Sequence, residues 1–126
     1  MLPFFMGEIM TGRITGNLIE VRQGDSFVIN LQVKKGCKPV DLTDATVMMQ
    51  VRDTADNIIF QCDGTPVDVE NGRIALIITP GMTAADVGDY STDIQVTMPD
   101  ESVNTIFPEN VNAVGIFRIT KQITRG

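Results

Sequence analysis

The carboxylates are the side chains best placed by type and spacing to do chemistry. Asp53 and Asp56, Asp63 and Asp68, Asp86 and Asp89, and Asp100 and Glu101 lie close together in the chain. Two carboxyl groups facing one another across a cleft, one with a raised pKa, could hydrolyse a glycosidic bond. Each of these pairs sits at or beside a turn, however, where Asp hydrogen-bonds the local backbone, so a structural role is expected. Asp53-Thr54-Ala55-Asp56-Asn57 opens like a calcium loop but lacks the glycine and the distal glutamate of the helix-loop-helix site, and no metal is expected there. Histidine is missing altogether, which excludes a Cys/His metal site and leaves a nucleophile without its usual base. Neither Cys nor Ser sits in a nucleophile elbow, and no Gly-rich phosphate loop occurs. No catalytic residue, metal ligand or cofactor is assigned, and an enzyme is not expected.

The bulk properties narrow the partners. A chain of 126 residues fits one domain, able to bury roughly two-thirds of its unfolded-chain surface. At 43% hydrophobic and 21% charged it reads as globular. Its net charge is −6 and its ten Lys and Arg residues are scattered, which argues against nucleic acid as a partner. Lys34-Lys35, with Lys38 close behind, reads as a solvated loop. The opening MLPFFMGEIM lacks a basic start and a small-residue cleavage site, and its apolar run is broken by Gly7 and Glu8. No run approaches bilayer-spanning length, so no membrane insertion is expected and the chain reads as cytosolic when made. Cys37 and Cys62 each lie near a turn; a bridge is geometrically open, and two isolated thiols are the simpler expectation.

Such side chains must be positioned by strands, because a period of two dominates. Phe27, Ile29, Leu31 and Val33 alternate with Ser26, Asn30 and Gln32. Val47, Met49 and Val51 repeat the pattern, as do Ile74, Leu76 and Ile78. Tyr90, Thr92, Ile94 and Val96 share a face opposite Ser91, Asp93, Gln95 and Thr97, and Phe117 and Ile119 do so near the end. Leu18–Arg22 and Ile58–Gln61 are shorter candidates. Asn71-Gly72 predicts a type I′ turn joining Val67–Glu70 to Arg73–Thr79. Pro80 to Asp86 has room for about one helical turn before Gly88. About seven short strands, each apolar on one face, predict an all-β, antiparallel immunoglobulin-like β-sandwich. An N-terminal arm (residues 1–16) precedes the sandwich domain (residues 17–126).

One local constellation refines this. In such sandwiches a tyrosine near the start of strand F bonds back to the backbone two residues before a cysteine. Asp86-x-Gly88-x-Tyr90 matches that structural tyrosine corner, with Gly88 supplying backbone freedom, but Thr92 stands in the cysteine slot. Only Val28 or Ile29 is available opposite it, and the chain has no tryptophan. Met48, Met49, Met82 and Met98 are expected to fill core space in place of the bridge.

Read in order, the motifs also resemble a known family. Gln23-Gly24-Asp25 parts two strands, Asp41-Leu42-Thr43-Asp44-Ala45-Thr46-Val47 leads into the next, and Asn71-Gly72-Arg73-Ile74, Thr79-Pro80-Gly81-Met82 and Gly88-Asp89-Tyr90 follow. Phe107-Pro108 then precedes a closing strand ending Phe117-Arg118-Ile119. This order is similar to the N-terminal domain of siphophage baseplate upper proteins, immunoglobulin-like phage tail modules, over about Leu18 to Ile123. The resemblance implies a virion component, made in the host cytoplasm, that anchors a receptor-binding assembly to the tail baseplate as a multimer. Its partners would be other phage structural proteins and further copies of itself, a homo-oligomer. Family members commonly continue into a linker helix and further domains, whereas this sequence ends at Gly126 and carries an additional stretch, Met1–Gly16. A capsid decoration or head accessory protein is therefore an alternative.

The candidate subunit contacts are Phe4, Phe5 and Met6, which either fold onto the domain's own edge or dock on a neighbour, the latter being the preferred expectation. Ile106 and Phe107 are the second candidates, with plugging the end of the core as the alternative. The closing strand, Val114–Ile123, carries Arg118 and Lys121 without a proline and reads as a weakly guarded edge. A carbohydrate- or receptor-binding module would need an aromatic platform, for which six phenylalanines, one corner tyrosine and no tryptophan are poor material.

Overall fold

The computed structural model describes residues 4–6, 14–108 and 112–121, and among them no α-helix occurs. Alternation builds the first sheet. In β4 (Phe27–Lys35) the inward Phe27, Ile29, Leu31 and Val33 are all 8% exposed or less. They pair across with inward residues of β9 (Arg73–Ile78), in the register Phe27↔Ile78, Ile29↔Leu76 and Leu31↔Ile74. Matching apolar residues on facing strands is what pins a register, because a one-residue slip would turn every one of them to solvent. β8 (Thr65–Asp68) lies outside β9, where Pro66 is tolerated on an edge strand. β1 (Phe4–Met6) and the short β5 (Lys38–Pro39) complete this five-stranded sheet through β4.

The second sheet runs β2 (Ile14–Thr15), β3 (Leu18–Arg22), β12 (Gly115–Thr120), β10 (Gly88–Thr97), β6 (Thr46–Arg52), β7 (Ile58–Asp63), with β11 (Val103–Phe107) beside the later half of β10. Ile19, Val21, Val47, Met49, Val51, Ile94, Val96, Phe117 and Ile119 line its inner face and join the first sheet's residues in one core. The molecule is a two-sheet, immunoglobulin-like β-sandwich. Four short strands, β1, β2, β5 and β11, add to the seven or so expected.

Three local features differ from expectation. β3 and β12 run parallel, Leu18 beside Ile116 through Arg22 beside Thr120, so the sandwich is not wholly antiparallel and the closing strand is interior. The two strands come from opposite ends of the chain and need no short crossover, which is why strand-by-strand periodicity does not reveal the pairing. At Asn71-Gly72 the type I′ turn is replaced by a 3₁₀ turn, Val69–Asn71. Gly72 alone takes the left-handed conformation there, at φ 73°. The helical turn after Pro80 is likewise 3₁₀, Met82–Ala84. It carries the fully buried Thr83, whose hydroxyl donates to the Asp25 carbonyl at 2.7 Å and ties the β3–β4 turn to it.

Instead of a disulfide, the inner face of the second sheet carries an aromatic pair. Phe60 and Phe117 meet edge to face, with centroids 5.3 Å apart and planes at 77°. Strands β6 and β10 lie between β7 and β12, so both rings lean across them. The ladder Phe60–Val51–Thr92–Gly115 puts the small Thr92 and Gly115 beside the pair, leaving space for it. Thr92 is buried and its hydroxyl donates to the Gln50 carbonyl at 2.7 Å. Met49 lies fully in the core, and Met82 and Met98 pack against it; Met48 faces outward instead, alternating with Val47 and Met49. Cys37 is exposed, Cys62 is buried, and neither is bridged.

Candidate contact face

The corner residues come together locally. The Tyr90 hydroxyl donates to the Asp86 carbonyl four residues back. Partial burial pushes the phenol pKa up, and the Asp86 and Asp53 carboxylates add to the effect. Gly88 sits at φ 153°, which side-chain-bearing residues rarely adopt, and a Cβ there would meet nothing within 4 Å. Its role is therefore torsional, with no close approach involved.

The expected subunit contacts fare differently. Ile106 and Phe107 are 0% and 1% exposed, so their side chains belong to the core and offer a neighbour nothing. The cause is a bulge: Ile94 pairs with Phe107 and Gln95 with Thr105, leaving Ile106 as the extra residue and breaking the in-out alternation. Phe4, Phe5 and Met6 form β1, and their backbone pairs antiparallel with Lys35, Lys34 and Val33. The flanking residues 1–3 and 7–13 of the arm lie outside the described residues.

Several turn carboxylates are satisfied within their own loops. Asp41 accepts from the Thr43 amide and hydroxyl, and Asp100 from those of Ser102, which holds both acids below the usual carboxylate range. Asp53 accepts from the amides of Asn57 and Ala55, with the same lowering effect. Asp89 is lowered by Arg118, whose Nε donates to it at 2.7 Å. Among the described residues, no group of three or more His, Cys, Asp or Glu side chains converges as a metal site would need.

What sequence reasoning passed over is the outer face of β6 and β10. Register places Arg52 beside Ser91, Gln50 beside Asp93, and Met48 beside Gln95. Thr105, Pro108 and residues 113–115 form a wall along this face and enclose a groove of about 690 Å³. Arg52 is held at one end by an ion pair to Asp56 at 3.3 Å and by Gln50 Oε1 at 2.9 Å. Gln50 Nε2 donates in turn to Gln61 at 3.0 Å. Asp93 is half-buried; burial raises its pKa, while Arg52 and a long 3.4 Å hydrogen bond from Gln95 oppose the rise. With Arg52 neutralised by Asp56, the uncompensated charge in the groove is negative. A glycosidase would need a second carboxyl free to act across from Asp93, and Asp56 is engaged. This arrangement can bind, by accepting hydrogen bonds from a cation or an amide.

These features define an immunoglobulin-like sandwich closed by a tyrosine corner and held without a disulfide. Residues 10–111 match the BppU N-terminal domain, and the chain belongs to this family of phage baseplate structural domains. Among solved structures, CopC from Methylosinus trichosporium OB3b is similar over 98% of this chain and 99% of its own, with a TM-score of 0.53 and 10% identity, a likeness of fold alone. Murine CRIg aligns over 91% of this chain and 97% of its own, with a TM-score of 0.41 and 14% identity. No curated protein sequence matches the chain. As a baseplate component it is a virion protein, and among the described residues no helix is long and apolar enough to cross a membrane.

Proposed function

We propose that this domain is a non-catalytic connector in a phage baseplate. It joins neighbouring baseplate proteins, further copies of itself among them, and anchors a receptor-binding assembly. The observation that carries the reading is the family match across residues 10–111. The structure supports it in two ways. Asp41, Asp53 and Asp100 are engaged within their own turns, and a long groove faces outward on a sheet stiffened from behind by a close-packed core. Mass spectrometry of purified phage particles, with immunogold labelling of the domain, tests the reading. Label at the tail tip, and co-purification of the domain with other tail proteins, are expected. Particles that lack the protein, or label confined to the head, would overturn it.

A further inference from the structure

We propose that the groove along β6 and β10 receives an extended segment of a partner polypeptide and seats a lysine or arginine of that segment on Asp93. The inference rests on the connector reading for the partner's identity as a baseplate protein; the chemistry of recognition comes from the groove itself.

Its length is set by the strands. From Arg52 to Met48 the groove follows β6 for four residue steps, about 13 Å at the rise of a strand, which matches an extended segment of about five residues. Asp93 lies at the middle of that length, opposite Gln50, with Ser91 and Gln95 on either side along β10. A basic residue at the centre of the segment would therefore meet it. The charges select the sign. The guanidinium of Arg52 is occupied by Asp56 and Gln50, so it neither repels a cation strongly nor neutralises Asp93 fully. Among the described residues Asp93 accepts one long bond, from Gln95, and a partially desolvated carboxylate gains most from a charged donor, which forms the stronger class of hydrogen bond. Burial raises its pKa, the direction expected of a carboxylate short of donors. The chain's net charge of −6 would draw a basic partner from a distance.

Beyond Asp93, the Gln95 amide and the Thr105 hydroxyl stand where the backbone of such a segment would pass. No aromatic side chain lines the groove among the described residues, so sugar rings would find nothing to stack on.

The test is a titration of the isotope-labelled domain, followed by NMR, with three capped pentapeptides: Gly-Ser-Arg-Ser-Gly and its Lys and Glu counterparts. A chito-oligosaccharide serves as the sugar probe. The Arg and Lys peptides are expected to shift backbone resonances of residues 48–52 and 91–95. Asp93→Asn should keep the spectrum of a folded domain and weaken that binding about tenfold or more, the range for losing a hydrogen bond to a charged group. Thr105→Lys, which places a competing ammonium at the groove wall, should weaken it as well. Equal binding of the Glu peptide, shifts confined to another face, binding of the sugar alone, or an Asp93→Asn variant that binds as well as the parent would each overturn the proposal. These failures would leave the connector reading standing, whereas absence of the protein from phage particles would refute that reading without bearing on the peptide titration.

Discussion

Replacing Phe117 with alanine should be among the most damaging single changes to this fold. Phe117 is fully buried on β12 between β3 and β10, and its ring meets Phe60 edge to face at 5.3 Å. Removing a buried phenylalanine costs about 3–5 kcal/mol, combining lost transfer energy with the cavity that remains. Collapse into that cavity is restricted here, because the neighbours Thr92 and Gly115 are too small to reach in and lie on hydrogen-bonded strands. Part of the loss belongs to the ring pair, about 0.5–1.5 kcal/mol beyond burial. Domains of this kind have about 5–15 kcal/mol of stability in all, so the variant should lose a large fraction of it. Urea denaturation followed by circular dichroism measures the loss, and a double-mutant cycle with Phe60→Ala isolates the pair. A loss below about 1.5 kcal/mol, well under the range for a buried aromatic, would refute the claim that these rings take the place of the missing bridge. A coupling of zero between Phe60 and Phe117 would do the same.

Further outcomes follow from the corner, the groove and the turn. Tyr90→Phe removes the donor to the Asp86 carbonyl and should cost about 0.5–1.5 kcal/mol, read as a drop in thermal midpoint; an unchanged midpoint would remove the corner's energetic role. Asp93→Asn should stabilise the isolated domain at neutral pH. The folded pKa of Asp93 is raised, so its favourable protonated form prevails in acid and that stability is lost as pH rises through the folded value. The difference in midpoint between variant and parent should therefore grow from acid to neutral pH, and a difference that is flat with pH would contradict the burial argument. Gly72→Ala should cost about 2 kcal/mol or more, since Gly72 sits at φ 73° and a Cβ would come within 2.5 Å of the Val33 carbonyl oxygen. A urea midpoint equal to the parent's would show that the turn can relax.

The parts of the fold that were legible are those decided within a few residues. Alternation in β4, β6 and β10 marked which side chains face the core, and Asp86-x-Gly88-x-Tyr90 marked the corner because donor and acceptor are four residues apart. Pairings between distant segments were not legible. β3 and β12 meet from opposite ends of the chain, and Phe60 and Phe117 touch across two intervening strands. For Ile106 and Phe107 the sequence leaves contact and core plug both open, because the bulge that buries two consecutive residues is not registered by periodicity. Asp93 looked like one more outward carboxylate on a polar face. Its distinction comes from the wall formed by Thr105, Pro108 and residues 113–115, and from Arg52 being occupied by Asp56. The polar half of an alternating strand carried the clue, since Gln50, Arg52, Asp93 and Gln95 are only half-exposed although they point away from the core.

The most direct measurement is a cryo-electron microscopy reconstruction of the tail tip of a phage particle bearing this protein. The account predicts the sandwich within the baseplate, with the outer face of β6 and β10 covered by a neighbouring chain and a basic side chain at Asp93. A reconstruction that places the domain outside the baseplate, or shows that face open to solvent in every copy, would contradict it.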